Sequence, residues 1–255
     1  MNEFYIYGRK PILAALKAEA NITKIIIQYG ITGDEINQIN YLARKIKIPI
    51  TTYDKNKFYT LLKTNNLDKE NHQGVVALRE IGISLPLFQL IDEAYEKNEF
   101  PIILFLDEIQ DPHNLGSIAR SAESVGAAGL IIPESKSSPI TPVAFKTSAG
   151  ALEYLPYCSV KSVPNTLAYL KERGFWLIGT DMEANHNYFD IDYNFPVVLI
   201  IGNEGKGIRH SLVKQCDYVV KIPTLGKTES LNASVSAGII LVEILRKRIS
   251  KKYQK

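Results

Sequence analysis

The sequence predicts an α/β protein, a small N-terminal α/β unit followed by a larger unit built on a mainly parallel sheet. Three observations predict it. Short runs that are apolar throughout, such as Ile102–Leu106 and Val197–Ile201, have the length of strands buried on both faces. Amphipathic segments alternate with those runs, as helices do when they join parallel strands. The chain is 255 residues long, 45% hydrophobic and 22% charged, which suits two packed domains and argues against disorder.

Taken in order, residues 11–20 predict a helix and residues 24–28 a strand. Residues 33–46 predict an amphipathic helix with Ile36, Ile39, Leu42, Ala43 and Ile46 on one side. Residues 48–52 are a short strand, Asp54 reads as the N-cap of a helix running to Leu62, and residues 74–78 are a further strand. Residues 81–100 read as a linker carrying an acidic helix over 86–97. Beyond it, strands at 102–106, 129–132, 175–180, 197–201 and 218–222 alternate with helices at 115–125, 143–152, 165–173 and 208–216. A last helix covers 233–249. The expected domains are therefore 1–80 and 101–255, joined by the linker.

No apolar run approaches the roughly 18–20 residues of a membrane span. The first residues lack the basic and then apolar pattern of a secretory signal, so a cytoplasmic location is expected. Two cysteines, Cys158 and Cys216, exclude a disulfide framework and a four-thiolate zinc site. His72, His113, His186 and His210 show no metal-ligand spacing, and no metal requirement is expected. The net charge of +3 is uneven: +4 over residues 1–80, −3 over 81–100, −4 over 101–245 and +6 over 246–255. Basic ends suit either a polyanionic partner or a solvated surface with a lysine-rich tail.

Ligands of parallel sheets bind beyond the carboxyl ends of the strands, and four loops stand there. Residues 107–120 read D-E-I-Q-D-P-H-N-L-G-S-I-A-R, Thr180-Asp181 follows the third strand, residues 202–207 read G-N-E-G-K-G, and 223–232 read P-T-L-G-K-T-E-S-L-N. The glycine-rich loop is not a P-loop, because Gly207 follows Lys206 where Ser or Thr is required, and its spacing differs from the dinucleotide fingerprint. Asn114 reads as a helix N-cap. Arg120 reads either as a surface ion-pair partner or as a group directed at the strand ends. Asn232 and Ser234 read as caps of the last helix.

Together the loops resemble the SpoU/TrmH family of RNA 2′-O-ribose methyltransferases. Residues 111–122 are similar to its first motif, 201–208 to its second, and 222–238 to its third. Tyr7-Gly8-Arg9-Lys10-Pro11 and His72-Gln73-Gly74-Val75-Val76-Ala77 resemble the ends of the family's small substrate-binding domain, and residues 146–151 a further family segment. The arrangement is most similar to RlmB-type enzymes, which methylate a guanosine ribose in 23S ribosomal RNA. The resemblance implies a SPOUT-type catalytic domain with a deep trefoil knot, S-adenosylmethionine as methyl donor, and a homodimer whose active site is completed across the interface.

It further implies that Thr180, Gly202, Ile222 and Leu231 hold the cofactor, and that Arg120, Asn114, Glu204, Ser230 and Asn232 form the active site. Arg9 and Lys10 are the expected RNA contacts, and a basic small domain suits that part. Two other readings remain: a methyltransferase acting on transfer RNA or conferring antibiotic resistance from another ribosomal site, and a non-catalytic RNA-binding protein of the same fold.

Overall fold

A computed structural model describes residues 3–17, 20–80, 82–203, 205, 207–226 and 230–252, with side chains as far as residue 250. The chain forms two compact units, Met1–Ile81 and Gly82–Lys255.

In the first unit the order is β1 (Glu3–Tyr7), α1 (Arg9–Lys17), β2 (Ile22–Gln28), α2 (Asp34–Lys45), β3 (Ile50–Tyr53), α3 (Lys55–Thr64) and β4 (Val75–Glu80). The sheet order is β1-β4-β2-β3, with β2 and β3 parallel and the other pairings antiparallel. The central strands are apolar on both faces. Ile25, Ile27, Val75 and Ala77 pack with Ile12 and Leu16 of α1 and Ile36, Ile39 and Ala43 of α2, while Ile26 and Val76 pack with Phe58 and Leu62 of α3. Asp54 caps α3, accepting from the backbone N–H groups of Asn56 and Lys57 at 2.9 Å. The sequence gives no strand at β1, whose Tyr5 and Tyr7 and whose Phe4 and Ile6 alternate over only five residues.

The second unit runs α4 (Leu87–Lys97), β5 (Ile102–Leu106), α5 (Pro112–Ser124), β6 (Gly129–Pro133), α6 (Pro142–Thr147), a 3-10 turn at Ala151–Glu153, β7 (Tyr157–Val160), α7 (Val163–Glu172) and β8 (Trp176–Thr180). It continues with β9 (His186–Asn187), β10 (Val197–Ile201), α8 (His210–Val213), β11 (Tyr218–Lys221) and α9 (Ala233–Lys252). All pairings in its seven-stranded sheet, ordered β7-β6-β5-β10-β8-β11-β9, are parallel. Helices α4, α7 and α8 cover one face in a cluster that includes Leu90, Ile103, Leu167, Leu177, Ile200 and Leu212. Helix α5 packs against α6 and α9. Among the described residues no helix is long and apolar enough to cross a membrane.

Several local expectations change. The segment that reads as a linker is part of the second unit from Gly82 on: α4 buries Leu90, Ile91 and Ala94 completely or nearly so, and the backbone N–H of Leu85 bonds to Tyr157. An acidic outer face had masked an apolar inner one. The helix expected over 143–152 is broken because Ala149 and Gly150 take left-handed backbone conformations, φ 50° and 93°. Asn114 is not an N-cap. Asp111 caps α5, accepting from the N–H of His113 at 2.9 Å, and Asn114 lies inside the helix.

The basic C-terminal stretch is engaged rather than free over its first three cations. Arg246 pairs with the buried Glu243, Lys247 donates to the Phe189 carbonyl, and Arg248 donates to the carbonyls of Phe100, Tyr193 and Phe195 at 2.6–3.0 Å. Burial pulls the Arg248 guanidinium down to about 10, still far above neutrality, and the three carbonyls satisfy its charge. These bonds fasten the far end of α9 and so fix where its first turn lies.

Candidate active site

The carboxyl ends of the adjacent strands β10, β8 and β11 surround a cavity of about 370 Å³. Thr180 and Asp181 line it from the end of β8, Gly202 and Asn203 from the loop after β10, Ile222 and Thr224 from the loop after β11, Ser230 and Leu231 from the segment before α9, and Ala233, Ser236 and Ile240 from the first turns of α9. All four residues expected to hold the cofactor, Thr180, Gly202, Ile222 and Leu231, thus line one space.

The loop after β10 turns so sharply that only glycine fits at 202: an added Cβ would lie 2.2 Å from the Gly207 carbonyl carbon and 2.4 Å from the Ile208 nitrogen. Two backbone bonds between Asn203 and Gly207 close the turn, and the Asn203 side chain accepts from the Gly205 N–H at 3.0 Å. Asn203 is therefore an Asx-type brace of this turn. Thr180 donates its hydroxyl to the Ile200 carbonyl, 3.2 Å away, which ties the ends of β8 and β10 together.

An ion pair that sequence reasoning missed holds the loop from below. Asp107, 1% exposed at the end of β5, accepts from Arg209 Nε at 2.8 Å and from the Arg209 backbone N–H at 2.9 Å. The bond to Asp107 keeps the Arg209 guanidinium above its usual pKa. A signal was available: Asp107 follows an apolar strand directly, where a carboxylate is buried only with a partner.

The active-site candidates separate into groups. Asn114, buried in α5, accepts from Asn232 Nδ2 at 3.0 Å, and Asn232 Oδ1 accepts from the N–H and hydroxyl of Ser234 at 2.9 and 2.6 Å. Asn232 thus caps α9 and bridges to α5 with one side chain. Ser230 lines the cavity. Arg120 lies on the exposed side of α5, is not among the cavity-lining residues, and makes no side-chain hydrogen bond or ion pair among the described residues. Glu204 lies outside the described residues. In the small unit, the Arg9 guanidinium contacts the Gln73 carbonyl and Glu35 Oε2, whereas Lys10 is exposed.

A parallel α/β sheet with a cavity beyond its strand ends, where open α/β proteins bind their ligands, places this chain among the ligand-binding proteins of that architecture. Residues 101–242 match the model of the SpoU rRNA methylase family, and residues 5–80 match that of RNA 2′-O ribose methyltransferase substrate binding. The chain belongs to the SpoU rRNA methylase family and is an RNA 2′-O-ribose methyltransferase. It is 38% identical over 244 residues, 96% of each chain, to the putative TrmH family tRNA/rRNA methyltransferase YacO of Bacillus subtilis (strain 168). It is 35% identical, over 97% of each chain, to a putative TrmH family tRNA/rRNA methyltransferase of Staphylococcus saprophyticus. The crystal structure of the SpoU methyltransferase AviRb from Streptomyces viridochromogenes, in complex with AdoMet, superposes with a TM-score of 0.67 at 29% identity, covering 97% of this chain and 91% of that one.

Proposed function

We propose that this protein methylates the ribose 2′-hydroxyl of a guanosine in 23S ribosomal RNA, with S-adenosylmethionine as donor. The observation that carries the methyl-transfer site is the cavity: Thr180, Gly202, Ile222 and Leu231 converge on it, next to the Asn114–Asn232 bridge. Its composition suits the cofactor. Ile201, Val220, Ile222 and Leu231 offer apolar walls for a base, while Thr180, Asp181 and Ser230 and the loop backbone offer polar atoms for a ribose and an amino acid. When bound, S-adenosylmethionine supplies an electrophilic methyl group. The same ligand is present in the AviRb structure.

The chain's own part is orientation, which can account for several kcal/mol of barrier reduction. Gly202 and the braced turn present backbone groups, and the Asn114–Asn232 bond fixes the first turn of α9 as one wall. Arg120 grips a substrate phosphate and stabilises the developing alkoxide. A guanidinium has donors and no acceptor, so this role fits its chemistry better than proton abstraction does. Ser230 and Glu204 complete the polar site.

Arg120 stands apart from the cavity in a single chain, which supports a homodimer in which the arginine serves a shared site. Val235, Val242 and Ile249, seven residues apart on α9 and 44–58% exposed, supply an apolar stripe for that contact. In this reading residues 1–80 bind RNA, with Lys10 and Arg9 near it, residues 101–255 carry catalysis in a knotted domain, and the enzyme works in the cytoplasm. The test is to map 2′-O-methylation across total RNA with and without the gene. Loss at one 23S guanosine is the expected result. Loss at a transfer RNA position or another ribosomal site gives the related substrate instead, and no loss together with no S-adenosylmethionine binding overturns the catalytic reading.

A further inference from the structure

We infer that the outward face of α2 is an RNA-binding surface, on which Tyr41 stacks an unpaired base while Arg44 and Lys45 hold the flanking phosphates. The inference rests on the reading that the substrate is RNA, and it assigns contacts that the sequence motifs do not include.

Helix α2 buries Ile36, Ile39 and Ala43 against the small sheet. On another side, at helical spacing, Asn37, Asn40, Tyr41, Arg44 and Lys45 line a surface groove. None of these five side chains makes a hydrogen bond, ion pair or ring contact among the described residues. Tyr41 is 69% exposed. The groove contrasts with Arg9, whose guanidinium is already in contact with Gln73 and Glu35.

Like many solvated helices, α2 carries acidic residues, Asp34 and Glu35, in its first turn and basic ones, Arg44 and Lys45, in its last, but these cations lack carboxylate partners one turn back. Such helices pair a Lys or Arg with a carboxylate four residues earlier, but the residues four before Arg44 and Lys45 are Asn40 and Tyr41. Lys47 adds a third cation within four residues, and no Asp or Glu occurs between Glu35 and Asp54. Uncompensated cations suit a polyanion. A ring and two amides among them fit a nucleic acid rather than an acidic protein, because unpaired bases offer both a face to stack and edges to hydrogen-bond.

The test uses the full chain and fluorescence anisotropy with a labelled single-stranded RNA of about 20 nucleotides, at about 50 and about 200 mM salt. Tyr41→Ala is expected to weaken binding roughly ten-fold with its salt dependence unchanged, and Tyr41→Phe to retain it. The double change Arg44→Gln/Lys45→Gln is expected to weaken binding and to lower the logarithmic salt slope by about 1–2. All variants should keep wild-type affinity for S-adenosylmethionine and wild-type melting. Unchanged RNA affinity in both Tyr41→Ala and the double variant overturns the inference. So does a loss accompanied by unfolding in every variant including Tyr41→Phe, or wild-type binding of a poly-glutamate peptide as tight as that of RNA. A wild-type chain that neither binds RNA nor methylates it would instead overturn the functional reading beneath the inference.

Discussion

At Gly202 one hydrogen atom in place of a methyl group decides whether the loop after β10 can fold back on itself. Gly202→Ala is expected to open the turn and reduce S-adenosylmethionine affinity by at least ten-fold, measured by calorimetry, because the Gly207 backbone cannot move aside while Asn203 and Gly207 stay paired. Arg120 makes the opposite kind of prediction, since its guanidinium makes no hydrogen bond or ion pair among the described residues. Arg120→Lys should leave melting and cofactor affinity unchanged and lower single-turnover methylation by on the order of 10²-fold, since a lysine keeps the charge and loses the two-pronged geometry. Wild-type turnover would reduce the arginine to a point charge.

The two thiols give a pH prediction. Burial pushes Cys158 up to about 11 and Cys216 to about 12, from 9.0, so both are neutral in the folded chain. The unfolded chain ionises first as pH rises. Their contribution to stability is therefore intact below about pH 9 and is lost progressively toward 11–12. Urea titrations at about pH 8 and about pH 10.5 should show wild type losing more stability than Cys216→Ala over that interval. Equal losses would remove Cys216 from the account.

Between elements, the informative contact is Asn232 with Asn114. The two bonds made by the Asn232 carbonyl oxygen cap α9, while its amide reaches α5. Asn232→Ala should cost about 1 kcal/mol from the lost cap and lower turnover as well. Asn114→Ala keeps the cap and should lower turnover with a smaller change in melting. If both variants melt alike and methylate at the wild-type rate, the bridge is structural only. The sequence already showed that Asn232 opens a helix and that the loops lie at strand ends. It could not show that Asn114, 118 residues away, is its partner, because that pairing depends on how α5 and α9 pack. Short edge strands were illegible for a related reason: β9 is two residues long and exists only where β11 offers it a ladder.

For the whole molecule, the proposed dimer makes solution mass and activity a linked prediction. Val242→Glu, on the exposed stripe of α9, should halve the mass seen by light scattering and lower methylation together. A monomeric variant with full activity would mean that one chain holds a complete site. The basic C-terminal stretch has a different meaning once folded. Arg246, Lys247 and Arg248 bond to Glu243 and to backbone carbonyls, so net charge by segment overstated what remains for a polyanion there.

The sequence by itself determined the parallel α/β class, the positions of the long buried strands and most helices, and the loops that carry the family's motifs. These follow from local periodicity and from residue types that a short segment needs. Only the tertiary structure decided that residues 82–100 belong to the second unit, that Asp107 and Arg209 clamp the glycine loop, that Asn114 meets Asn232, and that Arg9 is engaged by Gln73 and Glu35 while Arg44 and Lys45 of α2 have no side-chain partner among the described residues. Each depends on which groups meet across the fold, where burial demands partners that one-dimensional spacing cannot name.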